Sequence, residues 1–474
     1  GDAGLQLVSA LLRSSQYNPV GFIDDSKELQ NNQVSGLNIF SVEKIESLIN
    51  KLKVDEILIA MPSESRATRR HILNKLEQYP VVVRILPGMS ELAQGKVNIG
   101  DLRKVSIKDL LGRNIAEPNK KLLGANITSK VVMITGAGGS IGSELSRQII
   151  YLKPKAIILY EMSELALYNI ENELTSLNVP NINIYPVLGS VNNQRRFRNI
   201  LKHFSVNTVY HAAAYKHVPI VEYNNTEGVY NNVFGTLKCA LAAIDEKVET
   251  FVLISTDKAV RPTNTMGASK RCAELIIQAL SVEKNNTLFS MVRFGNVLGS
   301  SGSVIPLFEK QIKQGGPVTV TDINIVRYFM TIPEAVELVI QAGAMAKGGD
   351  MFVLDMGKPV RIYDLASKMI RLSGLQILNE DNPEGDIEIK FTGLRPGEKL
   401  YEELLVGENT FKTDNKSIMR AQEEMINWQD LNLLLEKLKN SLKRSEYVKI
   451  REILIEIVPE FSPQSKIVDL LYRE

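Results

Sequence analysis

Residues 131–142 read Val-Val-Met-Ile-Thr-Gly-Ala-Gly-Gly-Ser-Ile-Gly, an apolar strand-like run that leads directly into a glycine-rich turn. The following residues, 143–152, have the periodicity of a helix. In such a turn the first glycine permits the tight bend, the second lets backbone approach a pyrophosphate, and the third lets the helix pack closely on the sheet. A helix N-terminus also offers unpaired N–H groups to phosphates. The pattern therefore predicts a dinucleotide site lined by Gly136, Gly139, Ser140, Ile141 and Gly142.

An acidic residue stands where the adenosine ribose of such a ligand would lie. Residues 156–160 form the next strand-like run, and Glu161 follows them directly. A carboxylate at this place accepts hydrogen bonds from both ribose hydroxyls and repels a 2′-phosphate, which favours NAD over NADP. The alternative is that Glu161 only caps the helix that follows.

Short apolar runs and helical segments alternate on both sides of the glycine turn. Strand-like runs recur at 208–210, 250–254 and 288–294, and the same alternation fills residues 1–105. We therefore predict an α/β fold, a Rossmann-type doubly wound parallel sheet with a smaller C-terminal lid, preceded by a second, incomplete Rossmann-like domain. The predicted domains are 1–105 (incomplete Rossmann-like), 106–125 (linker), 126–295 (NAD-binding Rossmann), 296–420 (lid with returns to the core) and 421–474 (C-terminal helices).

Composition excludes several other classes of protein. The 474 residues carry 56 Lys and Arg against 54 Asp and Glu, a formal net charge of +2, so no overall field attracts nucleic acid. Two cysteines and four histidines, without metal-ligand spacing, predict neither a disulfide framework nor a metal site. No run approaches the ~20 apolar residues that span a bilayer, so this chain is expected to be soluble.

The N-terminus begins within a pattern. Gly1-Asp-Ala-Gly4 precedes an amphipathic run and looks like the second half of a G-x-G-x-x-G turn. We therefore expect the first strand of this domain, and whatever lies upstream of it, to be missing from the sequence.

Several longer strings make a family resemblance specific. The TGxxGxxG turn, the run Val209-Tyr-His-Ala-Ala-Ala214 and the pair Ser269-Lys270 resemble the extended short-chain dehydrogenase/reductase superfamily. Within that superfamily, further strings resemble the nucleotide-sugar 4,6-dehydratases of polysaccharide biosynthesis and protein glycosylation, in particular the long, membrane-associated enzymes that act on UDP-N-acetylglucosamine. These strings are His211-Ala-Ala-Ala-Tyr-Lys-His-Val-Pro219, Ser255-Thr-Asp-Lys-Ala259, Arg293-Phe-Gly-Asn-Val-Leu-Gly299 and Arg395-Pro-Gly-Glu-Lys399.

The resemblance implies a reaction and roles for named residues. NAD would take a hydride from C4 of the sugar, which makes the C5 proton acidic, and would return the hydride to C6 after water has left. Asp257 would be the acid for the departing C6 hydroxyl and must carry a proton, which burial favours. Lys258 would be the C5 base, with its pKa lowered by desolvation and by Lys270. Thr256 would orient the sugar O4 or relay its proton.

One position departs from the family. The residue that is usually the tyrosine base is Met266, and a thioether has no proton to exchange. Lys270, one helical turn further on, would still hold the nicotinamide ribose, and Tyr215 is a reserve candidate for the missing hydroxyl. Ala212, Ala213 and Ala214 would line NAD. The expected substrate-binding residues are Lys216, Asn296, Arg327, Arg395 and Glu398, with the two arginines on the diphosphate.

Three interpretations of the sequence stay open. The first is dehydration of UDP-N-acetylglucosamine with retention at C5, feeding a glycan or glycoprotein sugar pathway. The second is a UDP-sugar 4-epimerase, which needs no acid–base pair for C5 and C6. The third is a non-catalytic sensor of NAD or a nucleotide sugar, which Met266 would suit. The resemblance also implies a homo-oligomer and, for the full-length protein, a membrane attachment upstream that places the enzyme on the cytoplasmic side of the inner membrane.

Overall fold

We describe the protein from a computed structural model, which covers residues 1–77, 79, 81–87, 100, 102–105, 109, 118–300, 302–403 and 410–473. The chain divides into two compact units. The first comprises residues 1–114, 302–324 and 361–392, and the second comprises residues 115–301, 325–360 and 393–474. Compact units and functional domains are different divisions of a chain, so the domain boundaries stay a prediction. The two units differ from the predicted domains in one respect. Residues 302–324 and 361–392, which the prediction assigns to the lid, are grouped with the first unit.

Short strands and helices alternate along the described ranges. The strands are β1 Phe22–Ile23, β2 Gln33–Val34, β3 Leu37–Phe40, β4 Glu56–Ile59, β5 Val82–Ile85, β6 Arg103–Lys104, β7 Val131–Thr135, β8 Ala156–Glu161, β9 Asn183–Leu188, β10 Thr208–His211, β11 Thr250–Ile254, β12 Leu288–Arg293, β13 Asn296–Leu298, β14 Val318–Val320, β15 Val326–Arg327, β16 Phe329–Thr331, β17 Asp350–Leu354, β18 Val360–Arg361, β19 Ile377–Leu378, β20 Ile387–Phe391, β21 Thr410–Lys412 and β22 Ile418–Ala421. The α-helices are α1 Asp2–Leu11, α2 Ile45–Leu52, α3 Arg66–Leu76, α4 Lys120–Ala125, α5 Ser140–Ile149, α6 Glu164–Ser176, α7 Gln194–Phe204, α8 Val218–Tyr223, α9 Asn225–Val229, α10 Gly235–Asp245, α11 Thr265–Val282, α12 Val304–Lys313, α13 Ile332–Ala344, α14 Ile362–Leu372, α15 Trp428–Lys443 and α16 Tyr447–Ile457.

The second unit is built on one nine-stranded sheet in the order β21-β22-β17-β12-β11-β10-β7-β8-β9. The strands from β17 to β9 run parallel, and β22 and β21 add an antiparallel edge. The strand order reverses at β7, which lies between β8 and β10. Open sheets of this kind bind ligands beyond the carboxyl ends of their strands at such a reversal. The predicted doubly wound α/β fold is confirmed.

Both faces of this sheet are buried, and this explains the continuous apolar runs in its strands. Along β7, Val131 and Met133 belong to one core cluster, whereas Val132 and Ile134 belong to the other. Helices α7, α10 and α11 cover the first face, and α5, α6 and α13 cover the second. Strands buried on both faces lose the polar alternation of a half-exposed strand.

Helix α11 carries the residues of the predicted YxxxK-like segment and is buried along nearly its whole length. Its side chains from Thr265 to Leu280 are buried on every side. Helices α15 and α16 pack against it, which explains why an 18-residue helix so close to the site has no solvent-facing stripe. The C-terminal helices, for which the sequence indicates no chemistry, therefore fix α11 in place.

The first unit contains small sheets. Strand β1 pairs in parallel with β3, β4 pairs in parallel with β5, and β14 pairs with β20. Leu7 and Leu11 of α1 pack with Leu86 and Leu102 in a core of their own. Across the described ranges of both units, none of the helices has the length and apolar character that a bilayer crossing needs.

Candidate active site

The glycine turn follows β7 and is so tight that side chains would not fit. Gly136 has φ +65°, and a Cβ there would lie 2.9 Å from the backbone of Ala213. A Cβ on Gly142 would overlap the Gly136 carbonyl oxygen. Helix α5 begins at Ser140 with Gly139 as its N-cap, so its first N–H groups open onto the turn. Residues 136–142 therefore form the cradle that a pyrophosphate needs.

Glu161 lies beside this turn. Its Oε2 accepts a hydrogen bond from Gly138 N at 3.1 Å, and its Oε1 accepts from Met162 N and Ser163 N. The cap of the following helix is Ser163, whose side chain accepts from Ala166 N, so Glu161 binds the loop before that helix and borders the glycine turn. A carboxylate has about four acceptor sites, and these three hydrogen bonds leave about one of them for a ribose hydroxyl.

The run after β10 closes the other side of the cradle. Ala212 N donates to the Thr135 carbonyl, and Ala213 N donates to Thr135 Oγ1 at 3.3 Å. The same Oγ1 contacts His211 Nδ1 at 2.9 Å, and His211 Nε2 contacts Thr236 Oγ1 at 3.2 Å. Burial, together with the charge of Lys270, lowers the pKa of His211 to about 3, so the imidazole is neutral. His211 thus fixes the ends of two strands.

Helix α11 presents Met266 and Lys270 at the carboxyl end of β11. Lys270 Nζ donates to the Ile254 carbonyl at 2.7 Å, and burial lowers the pKa of Lys270 to about 8. Met266 is 2% exposed. Asn264 caps the helix by accepting from Gly267 N at 2.8 Å. Both predicted residues are therefore on one buried helix face near the strand end.

The Thr-Asp-Lys string forms a connected cluster just beyond β11. Thr256 Oγ1 donates to Asp257 Oδ1 at 2.9 Å, and Lys258 Nζ donates to the same oxygen at 3.0 Å. Asp257 is 1% exposed, and its Oδ2 has no hydrogen-bond partner among the described residues. A Cβ on Gly295 would lie 3.0 Å from that oxygen. The Thr256 hydroxyl and the Asp257 carboxylate are thus joined by a direct hydrogen bond.

The pKa of Lys258 is shifted in the direction opposite to the one expected from the sequence. Burial lowers the pKa of its amine, but the negative charges of Asp257 and Glu402 outweigh burial and raise the pKa above 10.5. The expectation of a lowered pKa is therefore wrong, because it counted burial and Lys270 but not the second carboxylate. Glu402 Oε1 lies 3.5 Å from Lys258 Nζ. Lys258 is an ammonium in this arrangement.

The predicted substrate-binding residues are distributed unevenly around this cluster. Asn296 Oδ1 accepts from Lys258 Nζ at 3.2 Å. Lys216 is exposed as a residue, but its amine is partly buried. This burial, together with the charge of Lys258, lowers the pKa of the Lys216 amine. Arg327 is buried, with its guanidinium 3.3 Å from Glu398 and 3.7 Å from Glu402. Arg395 is exposed, and its contacts with Glu398 are made by its backbone: its N–H donates to Glu398 Oε2, and its carbonyl accepts from Glu398 N. Arg327 and Arg395 therefore stand in different environments, and their role on a diphosphate stays a prediction.

The Arg-Pro-Gly-Glu-Lys string holds the loop that precedes α11. Lys399 Nζ donates to the carbonyls of Val260 and Arg261 at 3.1 and 2.8 Å. The Gly397 carbonyl accepts from Thr263 Oγ1 and Asn264 Nδ2. This string therefore holds residues 260–264, which lead into α11, and the role of Arg395 and Glu398 in substrate binding stays a prediction.

Two residues of the site are not predicted by any sequence motif. Asn232 lies in a π-helical turn, Tyr230–Phe234, and its side chain bonds the backbone of Tyr215 and donates to Ser269 Oγ. Such turns recur at functional sites but have no simple sequence signature. Glu402 is the second such residue, and it belongs to no motif or periodic pattern in the sequence. Among the described residues, no cluster of His, Cys, Asp and Glu could hold a metal ion.

The sheet reversal, the tight glycine turn and the adjoining Glu161 define a Rossmann-type α/β protein with a turn of the kind that dinucleotide-binding proteins use. Residues 132–423 match the family described as "Polysaccharide biosynthesis protein". The chain belongs to this family.

Relatives and a solved structure agree with that membership. The capsular polysaccharide biosynthesis protein CapD of Staphylococcus aureus is 43% identical over 456 residues, which cover 95% of this chain and 75% of CapD. A UDP-glucose 4-epimerase of Rickettsia rickettsii is 36% identical over 293 residues, 60% of this chain and 80% of the epimerase. The X-ray structure of Pen from Bacillus thuringiensis is 34% identical with a TM-score of 0.56, and the match covers 65% of this chain and 98% of Pen.

Proposed function

We propose that this chain dehydrates UDP-N-acetylglucosamine at C5 and C6, with tightly held NAD, to the UDP-linked 4-keto-6-deoxy sugar, with retention at C5. The observation that carries the proposal is the contact of Thr256 and Lys258 with one oxygen of a buried Asp257. Asp257 and Lys258 form an acid–base pair, and the Thr256 hydroxyl is hydrogen-bonded to it. Elimination of water from C5 and C6 needs both an acid and a base.

The glycine cradle and Glu161 fit NAD. Gly136, Gly139 and the first N–H groups of α5 would hold the pyrophosphate, Glu161 the adenosine ribose, and Lys270 the nicotinamide ribose. When bound, NAD supplies the hydride acceptor for C4 and the hydride donor for C6. Ala212–Ala214 would border it, since Ala213 already contacts the turn.

The protons can be accounted for with the residues present. The O4 proton passes to Thr256 Oγ1 while Thr256 gives its own proton to Asp257, so no phenol is needed. Asp257 then gives this proton to the departing C6 hydroxyl, which leaves as water. Lys258 first releases its ammonium proton to solvent, and the neutral amine then takes the C5 proton and returns it to the same face, which gives retention. Protonation of Asp257 removes one of the two anions that keep Lys258 charged, and so favours the neutral amine at the step that needs it.

The cations around the cluster suit an anionic substrate. Lys216 and Arg395 are exposed; Lys216 is near enough to Lys258 for their charges to interact, and Arg395 N donates to Glu398, which contacts Arg327. A UDP-sugar carries a diphosphate that such groups bind. The upstream membrane attachment, the cytoplasmic location and the homo-oligomer stay predictions from the resemblance.

A 4-epimerase is the second candidate, favoured by the identity to the Rickettsia protein. An epimerase returns the hydride to C4 and has no use for an acid aimed at C6. The third candidate, a sensor, would bind NAD or the nucleotide sugar without turnover. The three candidates differ in the product, which is a dehydrated sugar, an isomer or none, so mass spectrometry after chromatography separates them.

The test is incubation with NAD and UDP-N-acetylglucosamine, followed by mass spectrometry. We expect the loss of one water, whereas an isomer of unchanged mass on chromatography indicates an epimerase and unchanged substrate indicates a sensor. Asp257→Asn and Lys258→Met should each abolish most of the dehydration. Exposed-site controls with the same chemistry, Asp381→Asn and Lys202→Met, should retain it. Near-parental rates in the Asp257 and Lys258 variants would refute the assignment.

A further inference from the structure

Glu402 is a buried carboxylate next to the candidate base. Its side chain is 3% exposed, and its Oε1 lies 3.5 Å from Lys258 Nζ and 3.7 Å from Arg327 Nε. Its second oxygen, Oε2, is buried without a hydrogen-bond partner in the part of the chain that the structure describes. A buried charge is costly unless it is paired, so the location of Glu402 between two cations is a specific arrangement.

The contacts of Lys258 fix its ammonium group. Its Nζ donates to Asp257 Oδ1 at 3.0 Å and to Asn296 Oδ1 at 3.2 Å, and it faces Glu402 at 3.5 Å. An ammonium has three protons, and these three acceptors can take one each. Among the described residues, the charges of Arg327, which contacts Glu402, and of Lys216 also act on this group.

Arg327 is itself held rigidly. Its Nη1 donates to the carbonyls of Val326 at 2.7 Å and Leu400 at 3.2 Å, and its Nη2 contacts Glu398 at 3.3 Å. A guanidinium fixed in this way offers Glu402 Oε1 a cation in a set position, 3.7 Å away at Nε. Arg327 therefore has a role within the protein whether or not it also contacts a diphosphate.

We propose that Glu402 is a positioning residue of the active site, held by Arg327, which fixes the Lys258 amine beside Asp257 and sets the pH at which that amine becomes able to accept a proton. The inference rests on the proposed function in one respect, the role of Lys258 as the C5 base. The electrostatic effect itself, stabilisation of the charged form of Lys258 by Glu402, does not depend on any reaction.

The sign of the effect follows from the charges. Replacing Glu402 with Gln removes an anion next to Lys258 and leaves Arg327 as an uncompensated cation. Both changes disfavour the ammonium, so the amine becomes neutral at lower pH. An opposite charge within 4–6 Å commonly shifts a pKa by about 1–3 units, and we expect a shift of about one unit or more.

The first readout needs no turnover. Lys258 is acetylated with a trace of acetic anhydride at a series of pH values, and the extent is measured by mass spectrometry of its peptide. The pH midpoint for Lys258 should fall in Glu402→Gln and stay near the parental value in Glu402→Asp, which keeps the charge. The matched control is Glu403→Gln, the adjacent residue, whose carboxylate pairs with the exposed Arg261 instead. An unchanged midpoint in Glu402→Gln overturns the proposal.

The second readout is the pH profile of dehydration. The acidic limb of kcat should move to lower pH in Glu402→Gln by the same amount as the labelling midpoint, and should not move in Glu403→Gln. A fall in kcat of equal size at every pH means a structural role only, and overturns the proposal. If the parental chain releases no water at any pH, the proposed function fails, while the labelling experiment still decides the role of Glu402.

Discussion

A buried charge network lies directly behind the Thr-Asp-Lys cluster, and its loss should be costly. Glu274 of α11 accepts from Ser255 Oγ at 2.5 Å, from Arg293 Nε at 2.7 Å and from Arg293 Nη2 at 2.5 Å. Arg271 lies 3.2 Å from the same carboxylate, and Glu423 pairs with both arginines. The network ties the end of β11 to α11, β12 and the segment after β22.

The perturbation is Glu274→Gln, which keeps the volume and removes the charge. Arg293 is 1% exposed and would keep a single anionic partner, Glu423, which Arg271 shares. Removing one partner from a buried pair costs about 3–5 kcal/mol, a large part of the roughly 5–15 kcal/mol by which a domain is stable. With a urea m-value of about 2–3 kcal/mol/M, the unfolding midpoint should fall by about 1–2 M.

Urea titration followed by circular dichroism measures this, with Glu173→Gln as control. Glu173 pairs with Arg147 on the surface, its side chain is 44% exposed, and the loss of such a pair costs about 0–1 kcal/mol. Burial raises the pKa of Glu274, but the two arginines outweigh it and hold the pKa below 4.5. The stabilisation is therefore present above pH 4.5 and is lost as the pH falls through the folded value, so the difference between parent and Glu274→Gln should shrink in acid. Equal midpoints for the two variants at neutral pH would refute the reasoning.

Three further predictions follow from the site. Gly136→Ala should weaken NAD binding by at least tenfold in isothermal calorimetry, because its Cβ would lie 2.9 Å from the Ala213 backbone and φ is +65°; unchanged affinity would contradict the cradle. Gly295→Ala should lower the dehydration kcat by about tenfold with little loss of NAD affinity, because its Cβ would press on Asp257 Oδ2 at 3.0 Å; a parental kcat would mean that this oxygen is not used. Since burial lowers the pKa of His211 from 6.5 to about 3, the unfolded chain binds the proton first, and stability should fall by about 1.4 kcal/mol per pH unit below pH 6.5. Urea midpoints of the parent and His211→Gln should therefore converge as the pH falls from 6.5 to 4.5, and parallel curves would show that His211 does not stay neutral.

The sequence predicted the parts of the fold whose signal is local. Strand β11 is confirmed at both ends, and β7, β8, β10 and β12 are confirmed with ends that differ by a residue or so. Helix α5 begins at Ser140, three residues before the predicted start, because the glycine turn itself forms the first helical turn. Strand β17 lies among Gly- and Pro-rich segments, and the local sequence does not distinguish it from the predicted lid. Its place in the sheet depends on pairing with β12, a contact between distant residues that no local pattern reports.

The candidate site divides in the same way. Residues 256–258 are adjacent in sequence, so their contacts with one another follow from one motif at a strand end. Glu402 reaches Lys258 from a segment 144 positions away, and Asp257 and Glu402 together raise the pKa of Lys258 against the effect of burial. Electrostatics at a buried site depends on every charge within a few ångströms, and a motif includes only those on its own segment.

The substitution at position 266 becomes understandable once the proton route is considered as a whole. Oxidation at C4 releases one proton from O4, and departure of the C6 hydroxyl as water consumes one proton. One carboxylate can therefore accept the first proton and donate it in the later step. Thr256 lies 2.9 Å from Asp257, and this contact places the hydroxyl and the carboxylate on the loop after β11 and not on α11. Under the proposed route, the helix has only to supply Lys270, whose Nζ is fixed on the Ile254 carbonyl. Position 266 is then free to be filled by a buried apolar side chain, and Met266 packs there at 2% exposure without any proton to contribute.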